Sequence, residues 1–291
     1  MGGSVFQRLT DYIKEILTGW IQANLRGMFT DVNEKVGTIA GEVAKTPSAW
    51  NGGIFNMVRS LSDSVIVPIA GMIITAVLCY ELINAVISSN AIHDRDVAVL
   101  FKYLFKACIA VWLLSHTSDM VLGIFDIGSY VVSQAGGSIS TNTNIDVEAA
   151  LESMLTSQID SMGIGELVGL GMETTIVSFA MKIMSILITV ILYGRMMEIY
   201  LYVSIAPIPM ATLGNREWGS IGTNYIKGVA ALAFQGFFMM VCVGIYAALV
   251  STITVASNLH SALWGVAGYT VLLCFMLFKT GSISQSIFNS H

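Results

Sequence analysis

SVIVPIAGMIITAVLCYELINAVIS, residues 64–88, carries a single charge, Glu81. About 20 consecutive apolar residues in helical form cross the hydrocarbon core of a bilayer. Lipid offers no partner to backbone N–H and C=O groups, so a segment of this kind is predicted to be a transmembrane helix. Pro68 is placed in its first turn, where a missing N–H is harmless.

The rest of the chain supports that reading. Of 291 residues, Lys, Arg, Asp and Glu make up 11 %, while hydrophobic residues make up 55 % and mean hydropathy is +0.73. An ordinary soluble domain carries about 25 % charged residues. The composition excludes a soluble enzyme, a disordered chain and a basic nucleic-acid-binding domain. Further spans are predicted at 97–115, 174–197, 228–252 and 259–278. The expected fold is all-α: a polytopic α-helical membrane protein with about five transmembrane helices, a broken or re-entrant segment and amphipathic interfacial helices. Residues 199–213, YLYVSIAPIPMATLG, form the broken segment, because Pro207 and Pro209 cannot both continue a helix. Such backbone survives at membrane depth only where protein buries it or water lines it.

The organisation reads as five regions. Residues 1–63 are an N-terminal amphipathic interfacial region, in which 5–29 repeat apolar residues at three- and four-residue spacing. Phe6, Trp20 and Phe29 are its candidate interfacial anchors. Residues 64–115 hold two spans, and 116–173 form an acidic external loop, with 118–134 as an interfacial segment and 146–160 as an amphipathic helix. Residues 174–279 hold three spans around the Pro-x-Pro break, and 280–291 are a short polar tail. No repeat of 20–50 residues is visible, and the two halves do not match as an inverted repeat.

Charge sets the expected orientation. Residues 116–173 contain eight acidic residues and no Lys or Arg, which places that loop outside. Arg95 then falls inside, as do Arg195, Arg216, Lys227 and Lys279 if 199–213 is re-entrant, with the N-terminus outside and the C-terminus inside; a full crossing at 199–213 makes six spans and moves the C-terminus outside.

No P-loop, HExxH, GxSxG or dinucleotide fingerprint occurs, and no cofactor is expected. The four cysteines lie in apolar runs and read as packing residues. Charges inside spans carry more information. Glu81, Lys102, Lys106 and Lys182 would each cost roughly 2.5–3.5 kcal/mol at a bilayer centre, so each needs water or a partner. Lys102 is expected to snorkel to the headgroups. Lys106 and Lys182 either pair, with Glu81 as the available carboxylate, or line an aqueous lumen. Arg195, Glu198, Pro207, Pro209, Arg216, Glu217 and Trp218 cluster at the broken segment and are candidates for a docking surface or a constriction at the cytoplasmic mouth.

The stretch 191–246, with its APIPMATLGNREW run, and the closing KTGSISQSIF resemble the TrbL-like conjugal transfer proteins, in the form carried by integrative conjugative elements of Gram-positive bacteria. The N-terminal half is similar in layout only. The resemblance implies a non-enzymatic inner-membrane channel subunit of a type IV secretion system. Such a subunit helps single-stranded DNA, led by a covalently attached relaxase, leave the donor cell, with ATPases elsewhere in the machine supplying energy. A homo-oligomeric ring of five or six subunits fits a pore, and structural phospholipid between subunits is compatible with it. Two other classes stand beside this one: a secondary transporter with a broken helix and coupling charges at Glu81 and Lys182, and a membrane scaffold without a pore.

Overall fold

The computed structural model describes residues 2–88, 96–140, 162–215, 217–253 and 259–290. Among these every regular element is a helix: α1 (Gly2–Ala44), α2 (Pro47–Trp50), α3 (Gly52–Leu61), a π turn (Ser62–Ile66), α4 (Val67–Ser88), α5 (Asp96–Ser115), α6 (Thr117–Ser140), α7 (Ile164–Ile205), α8 (Pro207–Thr212), α9 (Gly219–Ile253) and α10 (Leu259–Phe288). Among the described residues, four runs are long and apolar enough to cross a membrane: Gly52–Asn84, α7, α9 and α10. A fifth arises if α5 and α6, bent by 63° about His116, count as one broken span. The protein is an all-α polytopic membrane protein.

Several boundaries differ from the sequence reading. The first span starts at Gly52 rather than residue 64, because the Asn51 side chain caps α3 by accepting from the Ile54 N–H at 3.1 Å. Pro68 therefore sits inside a continuous helix. The π turn just before it shifts the backbone register, with the Val67 N–H bonded back to the Ser62 carbonyl, and gives the proline ring room. The third span is one 42-residue helix, α7, that begins at Ile164 and absorbs residues 199–205 of the expected break. At 1.5 Å per residue it is about 63 Å long, twice the thickness of a hydrocarbon core. The interruption narrows to Ala206, where Pro207 opens the six-residue helix α8. Residues 135–140 belong to α6 rather than to a loop. The C-terminal tail is helical to Phe288, and Ser284 is buried, its hydroxyl donating to the Ala231 carbonyl at 2.5 Å. The proposed helix 146–160 and the loop with Arg95 lie outside the described residues.

The helices pack as two compact units. One comprises residues up to 43, 133–192 and 238–279. Its core takes Ile21, Leu25, Met28 and Ile39 from α1, Leu167, Leu170 and Met181 from α7, Met239 and Val243 from α9, and Leu263 and Leu277 from α10. Polar side chains tie these helices together, as in the Tyr246–Thr270 hydroxyl pair at 2.9 Å. The other unit comprises residues 44–132, 193–237 and 280–291. Its core gathers Val121 and Phe125 of α6, Met196, Ile199 and Val203 of α7, Met210 of α8, and Val229, Leu232 and Ala233 of α9. The segment 118–134, expected at the interface, thus buries an apolar face, while Asp119 and Asp126 stay exposed.

Candidate functional site

The intramembrane charges separate into different environments. Glu81 on α4 and Lys106 on α5 meet at 2.6 Å, with side chains 21 % and 41 % exposed. The Tyr103 hydroxyl donates to the Leu78 carbonyl at 3.1 Å and fixes the same antiparallel register. Of the two roles open to Lys106, the geometry supplies the pair. Lys102, one turn away, is exposed, as snorkelling requires. Lys182 is exposed on α7, between Phe179 and Ile186 along the helix.

The cluster near the break divides into a buried and a surface group. Arg195 is 7 % exposed, and its Nη2 reaches the Leu232 carbonyl at 3.4 Å while Nε has no hydrogen-bond partner among the described residues. One turn along α9 from Leu232, Gln235 is also buried, with Nε2 on Thr280 at 3.4 Å and Oε1 unpartnered among the described residues. Glu198 is half-buried, Pro207 is buried and Pro209 half-buried. These residues build the interior behind the break rather than a free surface. Glu217 and Trp218 do face outward. The Tyr80 hydroxyl donates to both Glu217 carboxylate oxygens at 3.0 Å, and its ring stacks on Trp218 with centroids 5.9 Å apart. The Asn215 side chain holds this corner by accepting from the Glu217 and Trp218 N–H groups at 2.7 and 3.0 Å. Arg216 lies outside the described residues. An open groove of about 570 Å³ borders the break, lined by Tyr202, Ile205, Pro209, Ile221 and Tyr225 among others.

A buried arginine with an orphaned donor tests whether the charge stabilises the fold. Arg195→Met keeps the side chain's length and removes the desolvation cost. Replacing buried ionic groups by apolar ones of similar volume is often neutral or stabilising by about 1–4 kcal/mol. The variant is therefore expected to melt in detergent at or above the wild-type temperature. Melting well below it would mean that the guanidinium holds the unit together.

Of the interfacial anchors, Phe6 is 75 % exposed and Trp20 is 39 % exposed, with one edge of the Trp20 ring against Gly171 of α7. The Phe29 side chain lies outside the described residues. Three features were not foreseen from sequence. Lys35 of α1 is 6 % exposed and donates to the Met181 carbonyl at 3.5 Å. Glu173 of α7 bonds both His260 and the Trp264 indole N–H of α10. Tyr200 donates to the Pro47 carbonyl at 2.8 Å and secures the α1–α3 connection. A hydroxyl or carboxylate at a helical position gave no sign of these partners, which are more than 80 residues away along the chain.

No curated protein and no solved structure matches the chain. A family profile does, described as TrbL/VirB6 plasmid conjugal transfer like protein, over residues 32–207. That span runs from α1 through α7 to the first proline of the break. It covers the N-terminal half, where the sequence resemblance rested on layout alone, and meets the quoted 191–246 stretch at 191–207. The match takes in more than half of the chain, which therefore belongs to the TrbL/VirB6 family of plasmid conjugal transfer-like proteins.

Proposed function

We propose that this membrane protein is a channel subunit of a conjugative type IV secretion machine. In this reading it contributes to the passage of single-stranded DNA, led by its relaxase, across the cytoplasmic membrane. The observation that carries the proposal is the family match across the apolar helices. The polar residues set into those helices support it, because a passage for a polyanion needs a wet wall inside lipid. The N-terminus and the 116–173 loop are outside and the C-terminus inside, as the absence of Lys and Arg from that loop favours. The subunits form a homo-oligomeric ring, five- or six-fold, with structural phospholipid filling its joints. The corner built from Tyr80, Glu217 and Trp218 is the cytoplasmic docking point for the machine's ATPases and other subunits, since it is polar, exposed and fixed by hydrogen bonds. No catalytic role is assigned to any residue. The host element is an integrative conjugative element of a Gram-positive bacterium, on the resemblance of 191–246.

Conjugation frequency in a donor lacking this gene, with and without a plasmid copy, tests the proposal. Loss of transfer, restored by the copy, is the expected result. Unchanged transfer in the deletion strain overturns it and redirects attention to solute uptake.

A further inference from the structure

Helix α1 and the apolar part of α7 run side by side in the same sense. Trp20 lies on Gly171, Asn24 donates to the Thr174 and Thr175 hydroxyls at 3.1 Å, and Lys35 donates to the Met181 carbonyl at 3.5 Å. Both residue numbers rise together along the contact. On α7, Lys182 is the single charge between Glu173 and Arg195, so this stretch matches the length of about 20 residues that fills a hydrocarbon core. The stretch of α1 beside it, NLRGMFTDVNEKVGTI at 24–39, carries Arg26, Asp31, Glu34 and Lys35. Four charges on one such segment exclude lipid as its surroundings.

The two helices also enclose a polar cavity of about 230 Å³ near the middle of that stretch. Asp31, Glu34, Lys35 and Thr38 line it from α1, and Ser185 and Thr189 from α7. Lys182 and Ser178 continue the Ser185–Thr189 row at helical spacing, and the buried Ser178 hydroxyl has no hydrogen-bond partner among the described residues. The neighbouring face of α7 is a different surface: Met172, Ile176, Phe179, Ile183, Ile186 and Val190 are exposed and apolar, as lipid contact demands. At one membrane depth this unit therefore presents one dry face and one wet seam.

We propose that α1 crosses the membrane beside α7, and that the seam of Asp31, Glu34 and Thr38 with Lys182, Ser185 and Thr189 is part of the wall of a water-filled passage. The proposal rests on the channel reading and names the helix that makes the channel wet. Asp31, Glu34 and Lys35 line the cavity together, and Lys182 stands one turn from Ser185 on the α7 row, so the wall carries charges of both signs. The crossing keeps the N-terminus outside.

The test is thiol accessibility in intact donor cells, in a variant with all four cysteines replaced by alanine. Single cysteines are placed in the seam (Glu34→Cys, Thr38→Cys, Ser185→Cys) and on the apolar face (Ile176→Cys, Phe179→Cys, Ile186→Cys). A charged, membrane-impermeant methanethiosulfonate is expected to modify the seam at least roughly 50-fold faster than the apolar face, since hydrocarbon excludes it. Seam and apolar positions equally protected would overturn the proposal, because a second copy or another protein then covers α1. Modified seam positions with unchanged DNA transfer would also overturn it, as a wet crevice off the transfer route. Blocked transfer on modification of the seam supports it. The deletion experiment decides the channel reading separately: transfer lost on deletion but unaffected by seam modification sinks only the assignment of α1.

Discussion

Gly128→Leu is expected to prevent the protein from accumulating in the membrane. At Gly128 of α6 a Cβ would stand 2.8 Å from the Ala233 carbonyl oxygen of α9 and 3.0 Å from both the carbonyl carbon and the Ala233 Cβ. Two of those atoms are backbone held in a helix, so neither side can rotate away. Small residues at such crossings let helix backbones approach, and in lipid close packing is a main source of helix association. Even Gly128→Ala should cost about 1–3 kcal/mol by overpacking, and leucine adds three more carbons at the tightest point of the crossing. Folded proteins have a margin of about 5–15 kcal/mol, so the leucine variant approaches or exceeds it. Gly123 is the control: it lies on the same helix, and among the described residues nothing beyond its own helix backbone comes within 4 Å of its Cβ position. Gly123→Leu should accumulate and melt normally in detergent. A Gly128→Leu protein with wild-type yield and melting temperature would show that α6 and α9 do not pack this closely.

The spans were legible because the constraint that produces them is local. A run such as 64–88 has to be a helix in lipid whatever surrounds it. Their ends were harder, because they depend on a few hydrogen bonds. The Asn51 cap starts a helix at Gly52, upstream of the apolar run, and no apolar pattern signals that start. The prolines at 207 and 209 located the interruption, although only Ala206 and the residues after it leave the long helix. Within the candidate site, Glu81 and Lys106 stood out because a charge in an apolar run needs water or a partner; which lysine meets Glu81 depends on how α4 and α5 pack, which the sequence does not display. Lys35 escaped notice because it occupies a position of the α1 apolar row, between Met28 and Ile39, and its carbonyl partner belongs to another helix. Arg195 was expected at the cytoplasmic mouth because it follows an apolar run. Helical spacing does not distinguish a guanidinium turned inward from one turned outward, and this one is turned inward.

Lys106→Glu is the charge substitution expected to do the most damage. It sets a second carboxylate where the ammonium now lies 2.6 Å from Glu81. Like charges about 4 Å apart repel by about 4 kcal/mol at the effective dielectric of a protein surface, and by more where lipid replaces water. The α4–α5 hairpin should open, and both thermal stability in detergent and DNA transfer should fall. Lys106→Ala leaves Glu81 without its cation and should do less harm, yet more than Lys102→Ala, since Lys102 is exposed. The deciding variant is the exchange Glu81→Lys with Lys106→Glu. If the pair acts by mutual attraction, the exchange restores most of the stability lost in either single variant, with a coupling of about 0.5–3 kcal/mol in a double-mutant cycle. If Lys106 instead serves as a positive charge at a fixed place in the lumen, stability returns and transfer does not. Additive losses in both readouts would mean that the 2.6 Å contact contributes nothing and that the hairpin is held by its apolar residues and the Tyr103–Leu78 hydrogen bond.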